Sequence, residues 1–243
     1  MKTSGEELWG LHTGLSPTGL TQLVDLSDVS SETREIERKY RFPSDQEKVD
    51  VAVSELFAKV GNFVTRKKHK ILNLVTFVGI DQYYIYKVGD REFQFRYRSG
   101  ANRPPQVTVK YQLTAGSNLA RGEINIGVGN TDPSKVRTFM SVLAAMLTTT
   151  PIVFAVQQSG NIWIIEDKIS NGKVEVVVYR TKRFAPTPYE GVFVEIEPLE
   201  FEDVESAINV IKHYESALNL GAMVCEQSIA EMFRPGAESQ VKD

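Results

Sequence analysis

The chain has one cysteine, Cys225, in 243 residues. A single thiol excludes an internal disulfide and suits a reducing compartment, so a cytoplasmic location is expected. The surroundings of Cys225 read as a helix, where a small buried hydrophobe is expected rather than a nucleophile. Histidine is as scarce. His12, His69 and His213 are the three, and none pairs with another at metal-ligand spacing, which argues against a His/Cys zinc site. No apolar run approaches the roughly 20 residues of a membrane helix. Met1–Gly10 lacks the apolar centre of a secretory signal, so no membrane partner is expected. Net charge is only −3, from 28 basic and 31 acidic residues. That balance provides no global grip on nucleic acid, and duplex DNA is not an expected partner; attraction for phosphates has to be local. A Gly-x-x-x-x-Gly-Lys run is missing too, which excludes a P-loop as phosphate cradle.

What is present divides into a leading segment, a long structured region and a short tail. Residues 1–33 carry Gly5, Gly10, Gly14, Gly19 and Pro17, then a Ser/Asp-rich run, and read as an N-terminal arm. Residues 34–234 read as one domain and 235–243 as a tail. Within the domain, Ser44 and Glu47 form a capping box ahead of Val49, Val53, Leu56, Phe57 and Val60, with Gly61 placed to end that helix. Phe63–Val78 reads as two strands around a basic turn, Arg66–Lys70. Gln82–Lys87 and Arg91–Arg98 read as a hairpin around Gly89-Asp90. Val107–Gln112 and Ala120–Val128 are further strands. Asp132-Pro133 opens a helix with the stripe Val136, Phe139, Met140, Leu143 and Leu147. Ile152–Gln157, Ile162–Asp167, Val174–Tyr179 and Gly191–Glu197 read as strands, with Asn171-Gly172 a two-residue hairpin turn. Helices near Glu202–Leu218 and Val224–Phe233 close the chain. Many antiparallel strands with helices at the crossovers and at the end make this an α+β domain around a closed or nearly closed sheet.

Five of these strands alternate charge with hydrophobe. In a strand, residues two apart share a face. Glu35, Glu37 and Lys39 therefore fall together, as do Arg96 and Arg98. Lys110, the pair Arg121 and Glu123, and the pair Glu195 and Glu197 follow on later strands. The alternate positions are apolar apart from Arg38: Ile36, Tyr40, Phe95, Tyr97, Val107, Val109, Ile124, Ile126, Val194 and Ile196. The apolar set is expected to face helices outside a barrel, and the charged set to line its inside. A barrel of about eight strands has room within for side chains or one small ligand. Charges buried there have to neutralise one another, water or a ligand. Hard divalent cations take carboxylate oxygens, and phosphates take Arg and Lys. A metal–triphosphate complex satisfies both sets at once.

The run Glu35-Ile36-Glu37-Arg38-Lys39 resembles the Glu-x-Glu-x-Lys signature of the CYTH, or triphosphate tunnel metalloenzyme, superfamily. Asp81-Gln82-Tyr83-Tyr84, Phe95-Arg96-Tyr97-Arg98, Val107-Thr108-Val109-Lys110 and Arg121-x-Glu123 resemble its next strands in order. Phe193–Glu197 resembles the late acidic strand, and Ser228–Met232 the closing helix. The resemblance spans roughly Arg34 to Phe233 and implies an eight-stranded antiparallel tunnel with flanking and C-terminal helices. It implies Mg²⁺ or Mn²⁺ held by Glu35, Glu37, Glu195 and Glu197, with Glu123 a further candidate. Lys39, Arg96, Arg98, Lys110 and Arg121 would hold phosphates. Glu35, Glu37, Lys39 and Glu197 form the implied catalytic set. The chain departs from the pattern at Ile85-Tyr86, at Asn125, at Gln157-Gln158 where a Lys-x-Arg is usual, and at Val178-Tyr179 where a Leu-Asp is usual. Arg180, Lys182 and Arg183 lie near enough in sequence to restore the positive charge.

The expected activity is metal-dependent hydrolysis of a triphosphate: tripolyphosphate, a nucleoside or thiamine triphosphate, or an RNA 5′ end. A class IV-type adenylate cyclase and a non-catalytic triphosphate or nucleotide sensor are the competing readings.

Overall fold

Alternation along the strands decides which side of the sheet is covered. The computed structural model describes residues 28–29, 33–42, 49–66, 69–88, 91–101, 103–112, 120–128, 133–168, 171–186 and 188–236. In chain order the first elements are β1 (Asp28–Val29), β2 (Thr33–Ile36), β3 (Arg38–Phe42), α1 (Val49–Arg66) and β4 (Lys70–Val88). Then come β5 (Arg91–Ala101), β6 (Arg103–Gln112), β7 (Ala120–Gly127), α2 (Pro133–Met146) and β8 (Ile152–Glu166). The last are β9 (Lys173–Arg183), β10 (Tyr189–Pro198), α3 (Val204–Ala217), a 3-10 turn (Gly221–Met223), β11 (Val224–Cys225) and α4 (Ile229–Phe233).

The strands form one antiparallel sheet in the order β1-β7-β6-β5-β4-β8-β9-β10-β3-β11, with β2 also on β7. Counting β2–β3 as one interrupted strand, eight strands make its body, and the α+β class expected from the sequence holds. The two halves of that interrupted strand pair with opposite ends of the sheet. Glu35 lies opposite Arg121 of β7, while Lys39 lies opposite Glu195 of β10. Glu37 sits at the break. The sheet therefore curls until its ends meet on one stretch of chain. Among the described residues no ladder joins β7 to β10 directly.

The convex side is sealed by helices. α1 sends Leu56, Val60, Phe63 and Val64 down onto Ile36, Tyr40, Trp163, Val176, Val178, Val194 and Ile196, where Ala207, Ile211 and Tyr214 of α3 join them. α2 covers Tyr84, Tyr86, Phe95, Tyr97 and Val107 with Val136, Met140 and Leu143, and the Tyr86 hydroxyl donates to the Met140 carbonyl at 2.8 Å. Each large apolar side chain buried this way stabilises the fold by about 1.5–3 kcal/mol. The apolar phase of these strands is thus committed outward, as the alternation predicts, and the other phase is left for the concave side. Part of that side is apolar as well. Phe77, Tyr83, Phe154, Val156, Tyr179 and Phe193 pack there with Ile229, Met232 and Phe233 of α4.

Local expectations fail where tertiary packing overrides punctuation. Gly61 does not end α1, which runs on to Arg66; Ser44 and Glu47 lie outside the described residues, as does Asp132. Phe63–Arg66 is therefore helix, and Lys70–Val88 is one strand rather than the second of two. His69 lies in the turn between α1 and β4, its amide donating to the Val64 carbonyl at 3.1 Å. It is buried, with Nδ1 3.2 Å from Asp167 Oδ1, and Tyr214 donates to the same carboxylate oxygen at 3.3 Å. Those contacts tie the start of β4 to the end of β8 and to α3. β8 likewise is one strand, Ile152–Glu166, where two were expected at Ile152–Gln157 and Ile162–Asp167, and it runs unbroken through Ser159-Gly160-Asn161. At Gly160 the backbone of β9 comes so close that a Cβ would collide with the Val178 carbonyl and with Tyr179. Glycine marks close approach here, not a turn. The β8–β9 hairpin is present but its loop is longer than two residues: Glu166 is the last residue paired, with Lys173, and Asn171 takes the left-handed conformation at φ 60°. Cys225 is in β11, beside Lys39, rather than in a helix, and is half-buried; the helix expected over Val224–Phe233 is confined to Ile229–Phe233.

Two glycines supply a test of this reading. Gly61 lies inside α1 with nothing within 4 Å of an added Cβ, so Gly61→Ala is expected to stabilise by about 0.5–1 kcal/mol. Gly160→Ala is expected to destabilise by about 1–3 kcal/mol. Urea unfolding of both variants measures the two shifts. Equal shifts, or shifts of the reverse sign, would mean that α1 or the β8–β9 contact is misplaced.

Candidate functional site

The concave face carries two charged groups built from different strands. The first belongs to β3, β9 and β10. Lys39 Nζ lies 3.0 Å from Glu195 Oε1 and 3.8 Å from Glu37 Oε1. The Tyr179 hydroxyl donates to the same Glu195 oxygen at 2.7 Å. Register explains the meeting: Lys39 is opposite Glu195 across β3–β10, and Tyr179 on β9 is two residues from Glu195's partner Val177. Lys39 is 6% exposed, so its ammonium depends on these carboxylates rather than on water. Burial, then the charge of Glu195 and its hydrogen bond, hold the Tyr179 phenol well above its ordinary value, so it stays a neutral donor. Glu197 follows on the same face, opposite Glu175 of β9.

The second group belongs to β4, β5 and β6, with contributions from β8 and β9. Arg98 donates from Nε and Nη2 to the two oxygens of Asp81, both at 2.9 Å. Arg96 Nε lies 3.9 Å from Asp81 Oδ2, and Arg96 Nη2 donates to Thr108 Oγ1 at 3.3 Å. Gln158 accepts from Arg98 Nη2 at 3.5 Å and donates to Thr181 Oγ1 at 3.4 Å. Asp81 is 1% exposed. Among the described side chains, one buried carboxylate, Asp81, thus faces two guanidinium groups. Lys39 lies between Glu37 and Glu195, with Glu197 and Glu175 further along the same face. Acid and base are segregated by strand, and each group holds an internal counter-charge.

Other expected site residues fall elsewhere. Arg180 is on the convex side: it bonds Glu190 and donates to Asp50 of α1 at 2.7 Å. Lys182 shares that phase and lies over the Phe184 ring, 5.1 Å from its centroid. Neither restores positive charge to the concave face. Arg183 has the inward phase, yet it is fully buried and donates to the Phe233 carbonyl at 2.6 Å, so it fastens α4. The period-two phase of β9 separates these three, and that phase was not assigned from sequence. For Glu35, Lys110, Arg121 and Glu123 the structure describes backbone register alone: Glu35 opposite Arg121, and Glu123 opposite both Thr33 and Lys110. Asp81, Tyr179, Glu175, Gln158, Thr108 and Thr181 belong to the face and were given no role from sequence. The alternation Glu175-x-Val177-x-Tyr179-x-Thr181 was the available signal for β9.

Carboxylate oxygens suit a hard divalent cation such as Mg²⁺ or Mn²⁺, and Glu37 and Glu195, the two that share Lys39, would be its holders. Among the described residues no three His, Cys, Asp or Glu side chains are grouped so as to hold a metal ion. Among the described residues, a cation standing between Glu37 and Glu195 is the ammonium of Lys39.

No family model and no curated protein matches the chain. A solved structure similar to it is that of the S. pombe Pct1 RNA triphosphatase in complex with the Spt5 CTD, with 12% identity, 87% of this chain and 90% of that chain covered, and a TM-score of 0.35. At that score the likeness assigns neither a family nor an activity. No helix among the described residues is long and apolar enough to cross a membrane.

The phenol gives a pH test. Its raised pKa means that the stability it confers is complete below the ordinary tyrosine value of about 10 and is lost as pH rises above it. In the folded protein, phenolate absorbance is therefore expected to rise by the same amount in the parent and in Tyr179→Phe until unfolding begins. A smaller rise in Tyr179→Phe at mildly alkaline pH would show that Tyr179 ionises normally and is not held as described.

Proposed function

We propose that this protein is a divalent-metal-dependent hydrolase of a triphosphate, taking Mg²⁺ or Mn²⁺. The observation that carries the reading is the pairing, on one concave face, of an acidic group (Glu37, Glu195, with Glu197 beside it) and a basic group (Arg96, Arg98). A triphosphate with its metal is a ligand that meets both. Asp81 takes Nε and Nη2 of Arg98 and so fixes its plane before the ligand arrives, leaving Nη1 to meet a phosphate oxygen. Arg96 is steadied by Thr108, so two guanidinium groups are preorganised to meet charge that grows on the transferring phosphoryl group. Lys39 adds a positive charge on the acidic side. Glu37 and Glu195 would hold the metal, which supplies further charge neutralisation when bound. Tyr179, kept neutral, holds one oxygen of Glu195 and leaves the other available. The substrate's remainder, whether inorganic phosphate, a nucleoside, thiamine or an RNA 5′ end, is left open by these groups, and Glu35, Lys110, Arg121 and Glu123 complete the proposed site.

The test is incubation with tripolyphosphate, ATP, GTP, thiamine triphosphate or 5′-triphosphate RNA, with Mg²⁺ or Mn²⁺, followed by phosphorus NMR. Orthophosphate plus a diphosphate is the expected outcome. Pyrophosphate plus a cyclic nucleotide would replace the hydrolase by a cyclase, and binding without turnover would replace it by a sensor. Arg98→Ala is expected to slow turnover by about 10²–10³-fold, whereas Arg180→Ala, on the convex side, is expected to leave the rate unchanged. Equal losses in the two variants would contradict the assignment of the concave face.

A further inference from the structure

We infer that Lys39 is the resident cation of the Glu37–Glu195 pair, and that a divalent ion is admitted there only when a polyphosphate draws the ammonium away. The inference rests on the proposed metal–triphosphate reading and concerns the order in which that site fills. Glu195 Oε1 already accepts from Tyr179 at 2.7 Å and faces Lys39 Nζ at 3.0 Å, so an ion taken by either oxygen of this carboxylate comes to lie beside the ammonium. Tyr179 is fully buried on β9 and cannot readily leave. Lys39 can, but only through its side chain. Its backbone is fixed on both sides, opposite Glu195 of β10 and Cys225 of β11. The side chain is 6% exposed, so water is a poor alternative partner. The departing ammonium needs another anion on the same concave face, and a polyphosphate held by Arg96 and Arg98 is one. A dication beside an ammonium is repelled, whereas a dication beside carboxylates that the ammonium has vacated is not. Divalent ion and polyphosphate are thereby coupled, each raising the other's affinity by the same factor.

The measurement is Mn²⁺ binding to the full chain in the absence of phosphate, read from the electron paramagnetic resonance of free Mn²⁺. Lys39→Gln is expected to bind Mn²⁺ at least about tenfold more tightly than the parent, because a unit charge next to the ion is removed. Lys39→Arg, which keeps the charge, is expected to bind as weakly as the parent. Equal or weaker binding by Lys39→Gln would overturn the inference. A second variant works from the other side and does not depend on that one folding. Glu195→Gln takes away the carboxylate 3.0 Å from Lys39 Nζ and so weakens its hold, and tripolyphosphate measured by calorimetry in excess EDTA is expected to bind several-fold more tightly than to the parent. Unchanged or weaker anion binding would count against the inference as well. Its failure is separable from that of the hydrolase reading: turnover of a triphosphate by the parent, with no gain of Mn²⁺ affinity in Lys39→Gln, sinks the exchange alone. No Mn²⁺ binding by parent or variant, with no turnover, sinks both.

Discussion

Everything on the concave face follows from the apolar phase of the strands being used up on the convex face. Ile36, Tyr40, Val194 and Ile196 are fully or almost fully buried against α1 and α3, and Phe95, Tyr97 and Val107 are buried against α2. Because a strand alternates, Glu37, Lys39, Arg96, Arg98, Glu195 and Glu197 then have one direction left. A one-residue slip would expose the core and bury the charges, so register is strongly specified. Arg38 is the exception in the outward phase, and it is answered there: Glu215 of α3 accepts from Arg38 at 3.1 Å and from Tyr40 at 3.0 Å.

Charges confined to a concave face need counter-charges, and the chain supplies its own. Lys39 lies among acids and Asp81 lies among bases. Breaking one member of such a buried set leaves an uncompensated charge, which is more damaging than the intact set is stabilising. The arrangement therefore speaks to function more than to stability. A sheet that needed only to fold could have filled this space as it does around Phe193, Phe154 and Phe233. Instead the face is divided between an apolar part, sealed by α4, and a charged part in which opposite charges are held on different strands. α4 itself is short. It is kept in place by the Ser228–Glu231 capping box and by Arg183 on its last carbonyl.

The curl of the sheet has a single hinge in sequence. β2 and β3 are adjacent in the chain yet pair with β7 and β10, and Glu37 occupies the break between them. Glu37 is two residues from Lys39, and this spacing brings their side chains together at the junction where the ends of the sheet meet. The glycines at 79, 100 and 160 serve the same curl from the other side: an added Cβ at any of them would strike a neighbouring strand.

Period-two alternation determined the outward apolar set and the sorting of Glu37, Lys39, Arg96, Arg98, Glu195 and Glu197 onto the other face, because strand geometry converts spacing into direction without further information. Helix existence was legible for the same kind of reason, from the stripes on α1 and α2. Element ends were not: Gly61 and Ser159-Gly160-Asn161 read as breaks, and only packing against neighbouring elements shows that α1 and β8 continue through them. Counter-charges were equally invisible. That Asp81 answers Arg98, that Tyr179 holds Glu195, and that Arg180 turns to Asp50 depend on which strands become neighbours and in what phase. The first two cross neighbouring strands 17 and 16 residues apart and depend on exact register, while the third spans 130 residues, and only the tertiary structure decides them.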